Sequence, residues 1–233
     1  MHRALAGSLR YTRLLSHRSA EAFLRRQLII SNRVHVQSQS TRSISNMAEA
    51  QGTIKPAGEN KDESLPPLSP ADFRIYNQKA EHMDYFHSNF RHSWNTLWGA
   101  TETGRRPAKM SLRQFIQIGL SFAEHLEVHH HIEESYIFPY LAKKMPEFQT
   151  GKGKRAAELL QQHRQIHAGL DGFKEYLEKC ISGEEELRLE TLRSKMEPWK
   201  DVLWSHLDQE VKTLGAENMR RYWTKEEMAG IPM

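Results

Sequence analysis

The sequence predicts an all-α protein: an antiparallel up-down four-helix bundle with a disordered N-terminal extension. Three observations predict it. Helix formers (Leu, Glu, Lys, Arg, Gln, Ala) dominate and Val is scarce, so strands have little support. Apolar residues recur in alternating steps of four and three along four separate stretches, the seam of a bundle helix. The connections are short and contain Gly and Pro, which makes consecutive helices antiparallel neighbours. At 233 residues the chain has room for one domain with a real core and for extensions.

Residues 1–46 read as an address and not as a fold. They hold eight Arg, no Lys and a single acid, Glu21. Leu5, Leu9 and Leu14 can share one helical face with Arg3, Arg10 and Arg13 off it, the make-up of a mitochondrial transit peptide. A second reading stands beside it: Met47 heads a plausible alternative start, which places the protein in the cytoplasm. Residues 47–68 are rich in Gly, Pro, Lys and Glu and read as a disordered linker.

The first helix begins at Ser69-Pro70-Ala71-Asp72, with a capping Ser, Pro at the first helical position and an acid in the first turn. It is expected to run to about Trp98 on the seam Tyr76, Ala80, Met83, His87, Phe90, Trp94, Leu97. His82 and His92 lie about 140° away at ~100° per residue and read as solvated. Residues 99–110 read as a loop. Ser111 with Gln114 makes a capping box for the second helix. Its seam is Phe115, Gly119, Phe122, Leu126, His129, Glu133, Tyr136, Tyr140, with Pro139 bending or ending it. The third has Ala156, Leu160, His163, His167, Leu170, Leu177 and Ile181. Lys174 interrupts this seam, Phe173 is its substitute, and Ser182-Gly183 stops the helix. The fourth shows Leu189, Leu192, Met196, Trp199, Leu203, His206, Glu210 and Thr213, with a kink or a later start at Pro198. Residues 216–233 form a tail after the bundle of residues 69–215, and Tyr222 and Trp223 are candidates to pack back on it.

Charge and cysteine usage exclude several classes. The net +4 is a property of the leader: beyond residue 46 there are 25 basic and 28 acidic side chains. The mildly acidic body gives no case for nucleic-acid binding. No apolar run reaches about 18 residues, so no membrane span is expected. One cysteine, Cys180, excludes an intramolecular disulfide and a Cys-based metal site.

Seven ionisable residues fall on the inward seams: His87, His129, Glu133, His163, His167, His206 and Glu210. Burying such groups costs a few kcal/mol each unless something pairs with them, and apart from Lys174 no Lys or Arg is placed to do so. His129/Glu133, His163/His167 and His206/Glu210 are i, i+4 pairs that project from one face about 6 Å apart. Within the His129–His131 tract, His130 with Glu134 is the rival pair. Its face is more polar, so His129 with Glu133 is preferred, and His125 and His131 read as surface residues or as outer neighbours of the ligands. Five nitrogens and two carboxylates are too many for one tetrahedral zinc. They suit two octahedral ions bridged by the carboxylates. Iron fits this donor set, and other divalent metals suit the same donors. So few anionic ligands favour reversible reduction of O2 to peroxide over oxygen insertion.

The segments DYFHSNFRHSW around His87, HHHIEESYIFPYL from His129, HRQIH from His163 and HLDQE from His206 resemble the hemerythrin family in its HHE cation-binding branch. The resemblance covers about residues 71–215 with all seven positions filled in order. It implies an up-down four-helix bundle with a non-haem di-iron centre, ligated by His87, His129, Glu133, His163 and His167 with His206 and Glu210. The O2-carrying members use a His with an Asp five residues on; here the acid is Glu210, four on, as in the HHE branch. The expected function is therefore a di-iron binding protein handling O2, peroxide or iron in storage, sensing or protection. Two alternatives stand: a di-iron oxidase, oxygenase or peroxide-decomposing enzyme, and a structural bundle with incidental histidines. Neither the oligomeric state nor an organic substrate is legible.

Overall fold

Ser69 and Pro70 open the first helix as their chemistry requires. Ser69 Oγ accepts the Asp72 amide at 3.1 Å, and Pro70 stands where no intrahelical amide bond is needed. The computed structural model describes residues 65–149 and 154–233. The expected leader, most of the expected linker and the side chain of Ala156 lie outside the described residues. The last linker residues are pinned, because Arg220 donates to the carbonyls of Leu65 and Pro66.

Among the described residues every regular element is helical. The long ones are α1 (Pro70–Thr103), α2 (Leu112–Ile132) and α4 (Lys154–Ser182). A π-turn (Glu133–Ile137) carries α2 into the short α3 (Phe138–Leu141). The fourth segment is α5 (Leu189–Met196) and α6 (Lys200–Thr213), joined through a 3-10 turn at Glu197–Trp199 that contains Pro198. Pro198 thus kinks a continuing helix and does not begin one. Short helices α7 (Ala216–Met219) and α8 (Lys225–Met228) follow. No helix among the described residues is long and apolar enough to cross a membrane.

α1 packs against α2 and against α5 and α6, and α4 packs against the same elements. Tyr76 and Met83 near the start of α1 share an apolar cluster with Leu141, Leu159 and Leu214. Trp94 and Leu97, further along α1, share another with Phe115, Leu177 and Leu192. Consecutive long segments therefore run in opposite directions. The two clusters are separate because a polar layer lies between them: His87 sits between Met83 and Phe90, and His163 between Leu159 and Ile166. Trp223, Met228 and Ile231 of the tail are buried in the first of these clusters, and Lys79 Nζ donates to the Ile231 carbonyl at 2.6 Å.

Three local expectations need correction. α1 continues through the expected loop to Thr103, because Gly99 is accommodated inside the helix. It stops at Gly104, whose φ of 68° only glycine adopts freely. In α4 the buried stripe is Leu159, His163, Ile166, Leu170, Phe173, Leu177, Cys180, an unbroken alternation of fours and threes. It takes the three-residue step to Ile166 where the expected seam took four to His167. Lys174 is thereby left at the edge, paired with Glu127 at 2.8 Å. Past Glu133 the buried residues are Ile137, Phe138 and Leu141, while Tyr136 is 56% exposed. The π-turn adds one residue and moves the stripe on by one position.

Gly169 lets α4 approach the indole of Trp199. A Cβ there would stand 2.3 Å from two of the ring carbons, and Trp199 is buried without room to retreat. Gly169→Ala should destabilise the fold by about 1–3 kcal/mol through overpacking. Gly172→Ala, which meets nothing within 4 Å, should be neutral or stabilising by up to about 1 kcal/mol. Thermal unfolding of the two variants checks the contrast, and equal midpoints would contradict this packing.

Candidate metal centre

The polar layer is assembled from all four long segments. α1 supplies His87, α4 supplies His163, and α6 supplies His206 with Glu210 one turn on. The end of α2 supplies His129 and His130, and Glu133 opens the π-turn. Pro139 explains why the helix widens there. It has no amide to donate and its ring crowds the carbonyl four residues back. The Phe138 amide instead reaches five residues back to the Glu133 carbonyl.

Two groups of side chains bring one ligand atom each to within 4.8 Å of one another: His87, His129, Glu133 and Glu210, and His130, Glu133, His163 and His206. Glu133 belongs to both. Its Oε1 lies 2.9 Å from His129 Nε2 and its Oε2 lies 3.5 Å from His163 Nε2. Glu210 Oε2 also faces both halves, 3.4 Å from His87 Nε2 and 3.6 Å from His206 Nε2. His87, His130, Glu133, His163, His206 and Glu210 are fully buried.

Three of the rings are held from behind. His87 Nδ1 lies 3.0 Å from the Leu207 carbonyl, His163 Nδ1 2.7 Å from Glu134 Oε1, and His206 Nδ1 3.3 Å from Gln162 Oε1. An acceptor at Nδ1 places the proton there and leaves the Nε2 lone pair directed inward, the tautomer a metal ligand needs. Gln162 is itself fixed, donating to Gln209 Oε1 at 2.9 Å.

Electrostatics points the same way. Burial drives the His206 imidazole down to about 3 and pushes His129 and His130 well below their ordinary range, so these rings are neutral donors. Burial, and then the neighbouring Glu210, raises Glu133 well above the usual carboxylate range. For Glu210 burial acts in the same sense, but contacts with His87 and His206 outweigh it and hold the carboxyl at about 2. Two carboxyls this close cannot both ionise without a cation between them. Both oxygens of Glu133 and of Glu210, and Nε2 of His130, His163 and His206, are buried with no hydrogen-bond partner. Each such atom costs about 1–3 kcal/mol unless something pairs with it. Bound divalent cations would pair with all of them, so the donor set fits metal ions.

Of the seven residues singled out in the sequence, six meet in these groups: His87, His129, Glu133, His163, His206 and Glu210. His167 belongs to neither. It stands at the edge of the α4 stripe, only partly buried, with Nε2 3.3 Å from His130 Nδ1. His130, on the face that the sequence marks as the more polar, is inside. Both fit because Glu133 is four residues from His129 and three from His130, so the two rings flank it. The unbroken stripe through Ile166 was the available signal that His167 lies off the seam. His92, His125 and His131 are exposed as expected, whereas His82 is half-buried against Phe86, ring centroids 4.8 Å apart.

Comparison with known proteins agrees with this geometry. The family model described as Hemerythrin HHE cation binding domain matches residues 78–216. A curated relative, the "Dimeric xanthone biosynthesis cluster protein R11" of Cryptosporiopsis sp. (strain 8999), is 30% identical over 108 residues, which is 44% of this chain and 38% of that protein. The chain thus spans less than two fifths of that relative's length. No solved structure matches.

Glu133 bears its burden only when no cation is present. Glu133→Gln, neutral and nearly isosteric, should leave the metal-free protein as stable as the parent or more so, and should abolish the rise in unfolding temperature that metal produces. Thermal unfolding of parent and variant, with and without added metal, reads both effects. A variant that melts well below the parent without metal would mean the carboxyl is structurally paired.

Proposed function

The chain belongs to the hemerythrin HHE cation-binding family, and from that premise we propose that it is a non-haem di-iron protein that handles O2, peroxide or iron, in storage, sensing or protection. On this reading the alternating long segments are the family's up-down four-helix bundle. His87 and His129 would hold one iron and His163 and His206 the other, with Glu133 and Glu210 as the carboxylates that face both. The observation that carries it is the set of buried, unpartnered carboxylate and imidazole atoms arranged as two groups with a carboxylate in common. Two ferrous ions supply the paired electrons that O2 or peroxide chemistry needs. The protein's own part is to hold neutral imidazoles at Nε2, fix them from behind, and keep the layer dry between two apolar clusters. The Arg-rich leader supports a mitochondrial setting.

A second reading, an oxidase or oxygenase acting on an organic substrate, is favoured by the name of the Cryptosporiopsis relative, which puts that protein in a biosynthesis cluster. The nitrogen-rich donor set argues against it.

Anaerobic loading with Fe(II) should give two irons per chain, an optical spectrum that changes on admitting air, and an unfolding temperature that rises with iron and falls back on chelation. With free metal at 100 times its dissociation constant the gain is about 2.7 kcal/mol for each site filled. Iron-loaded protein that consumes peroxide over many turnovers would favour the catalytic reading. Protein that takes up no iron would leave only a structural bundle.

A further inference from the structure

Two histidines compete for one corner of the layer, and their surroundings differ. The His130 ring is fully buried, stacks on His163 with centroids 3.9 Å apart and planes 12° apart, and leaves Nε2 without a hydrogen-bond partner. His167 is half-buried, and its Nε2 lies 3.3 Å from His130 Nδ1, the nitrogen on the far side from the unpartnered one. His167 therefore reaches the group of Glu133, His163 and His206 only through His130.

We infer that His130 Nε2 is the third nitrogen donor to the metal held by Glu133, His163 and His206, and that His167 is a positioning residue that holds His130 from behind. This rests on the metal-centre reading above. The proton inventory closes. A ligating Nε2 requires the His130 proton on Nδ1, which donates to His167 Nε2; the His167 proton then sits on its own Nδ1. His130 thereby acquires the outer acceptor that Leu207, Glu134 and Gln162 give to His87, His163 and His206. The opposite assignment requires His167 Nε2 to leave His130 and pass a ring stacked on His163. It also leaves His130 fully buried with neither nitrogen paired. The adjacent residues His129 and His130 then serve the two metals separately, one on each side of the shared Glu133.

The test titrates the metal-free full chain with Co(II) under anaerobic conditions, following visible absorption, with metal analysis after desalting and far-UV circular dichroism to confirm the fold. The parent should take up two equivalents. His130→Ala should retain one and lose the second, and added imidazole should restore it. Should His130→Ala fail to fold, His130→Gln carries the same comparison. His167→Ala should still take up two with the parent's spectrum, the second about 10- to 100-fold more weakly. His167→Gln, whose side-chain oxygen can accept from Nδ1, should recover that loss. Loss of the second equivalent in His167→Ala with both retained in His130→Ala would overturn the inference. So would equal losses that glutamine does not repair, or two unchanged equivalents in every variant. A parent that binds no cobalt and no iron would defeat the metal-centre reading itself.

Discussion

The structure depends on a single constraint: two carboxyls and five imidazoles are packed against one another inside a helical protein with no lysine or arginine among them. Such a layer is stable only if its charges are balanced from within. Its consequences reach the core, which divides into two apolar clusters because the layer crosses it. Met83 and Phe90, the members of the α1 stripe on either side of His87, belong to different clusters. The aromatic cluster of Trp94, Phe122, Phe173 and Trp199 flanks the layer on one side, and the cluster that includes Trp223 and Ile231 flanks it on the other.

The outer acceptors tie this chemistry to the fold. His87 on α1 is steadied by a backbone carbonyl of α6, His163 on α4 by a carboxylate of the π-turn, and His206 on α6 by an amide of α4. Each ring is held by an element other than its own. No one helix can present a correctly oriented ligand alone, and the site exists only when all four segments are in place. Energy released by a bound cation is therefore energy of assembly.

Much of this was legible in the sequence because the α1 seam is a simple repeat and the helix starts carry plain capping signals. The α1 stripe from Tyr76 to Leu97 is buried at every expected position, and the Ser69 and Ser111 caps form as their spacing implies. What escaped had identifiable causes. In α4 two stripes compete. The one through His167 carried a chemically attractive i, i+4 pair but tolerated Lys174, whereas the one through Ile166 is apolar without a break. In α2 the sequence sets His130 against His129 because the face that carries His130 is the more polar. A ligand with two oxygens can be shared by both neighbours. The inward place of His130 depends on how closely α2 and α4 approach, which no local pattern records.

The π-turn at Glu133–Ile137 has a wider meaning. Upstream, the helix faces inward on the phase set by Leu126 and the two histidines. Downstream it faces inward on a phase set by Ile137 and Leu141. An uninterrupted α-helix, turning ~100° per residue, would have to follow one phase and forfeit the other. One surplus residue acts as a splice between two screw threads, so that the same chain can grip a hydrophilic junction and, a turn later, a greasy one.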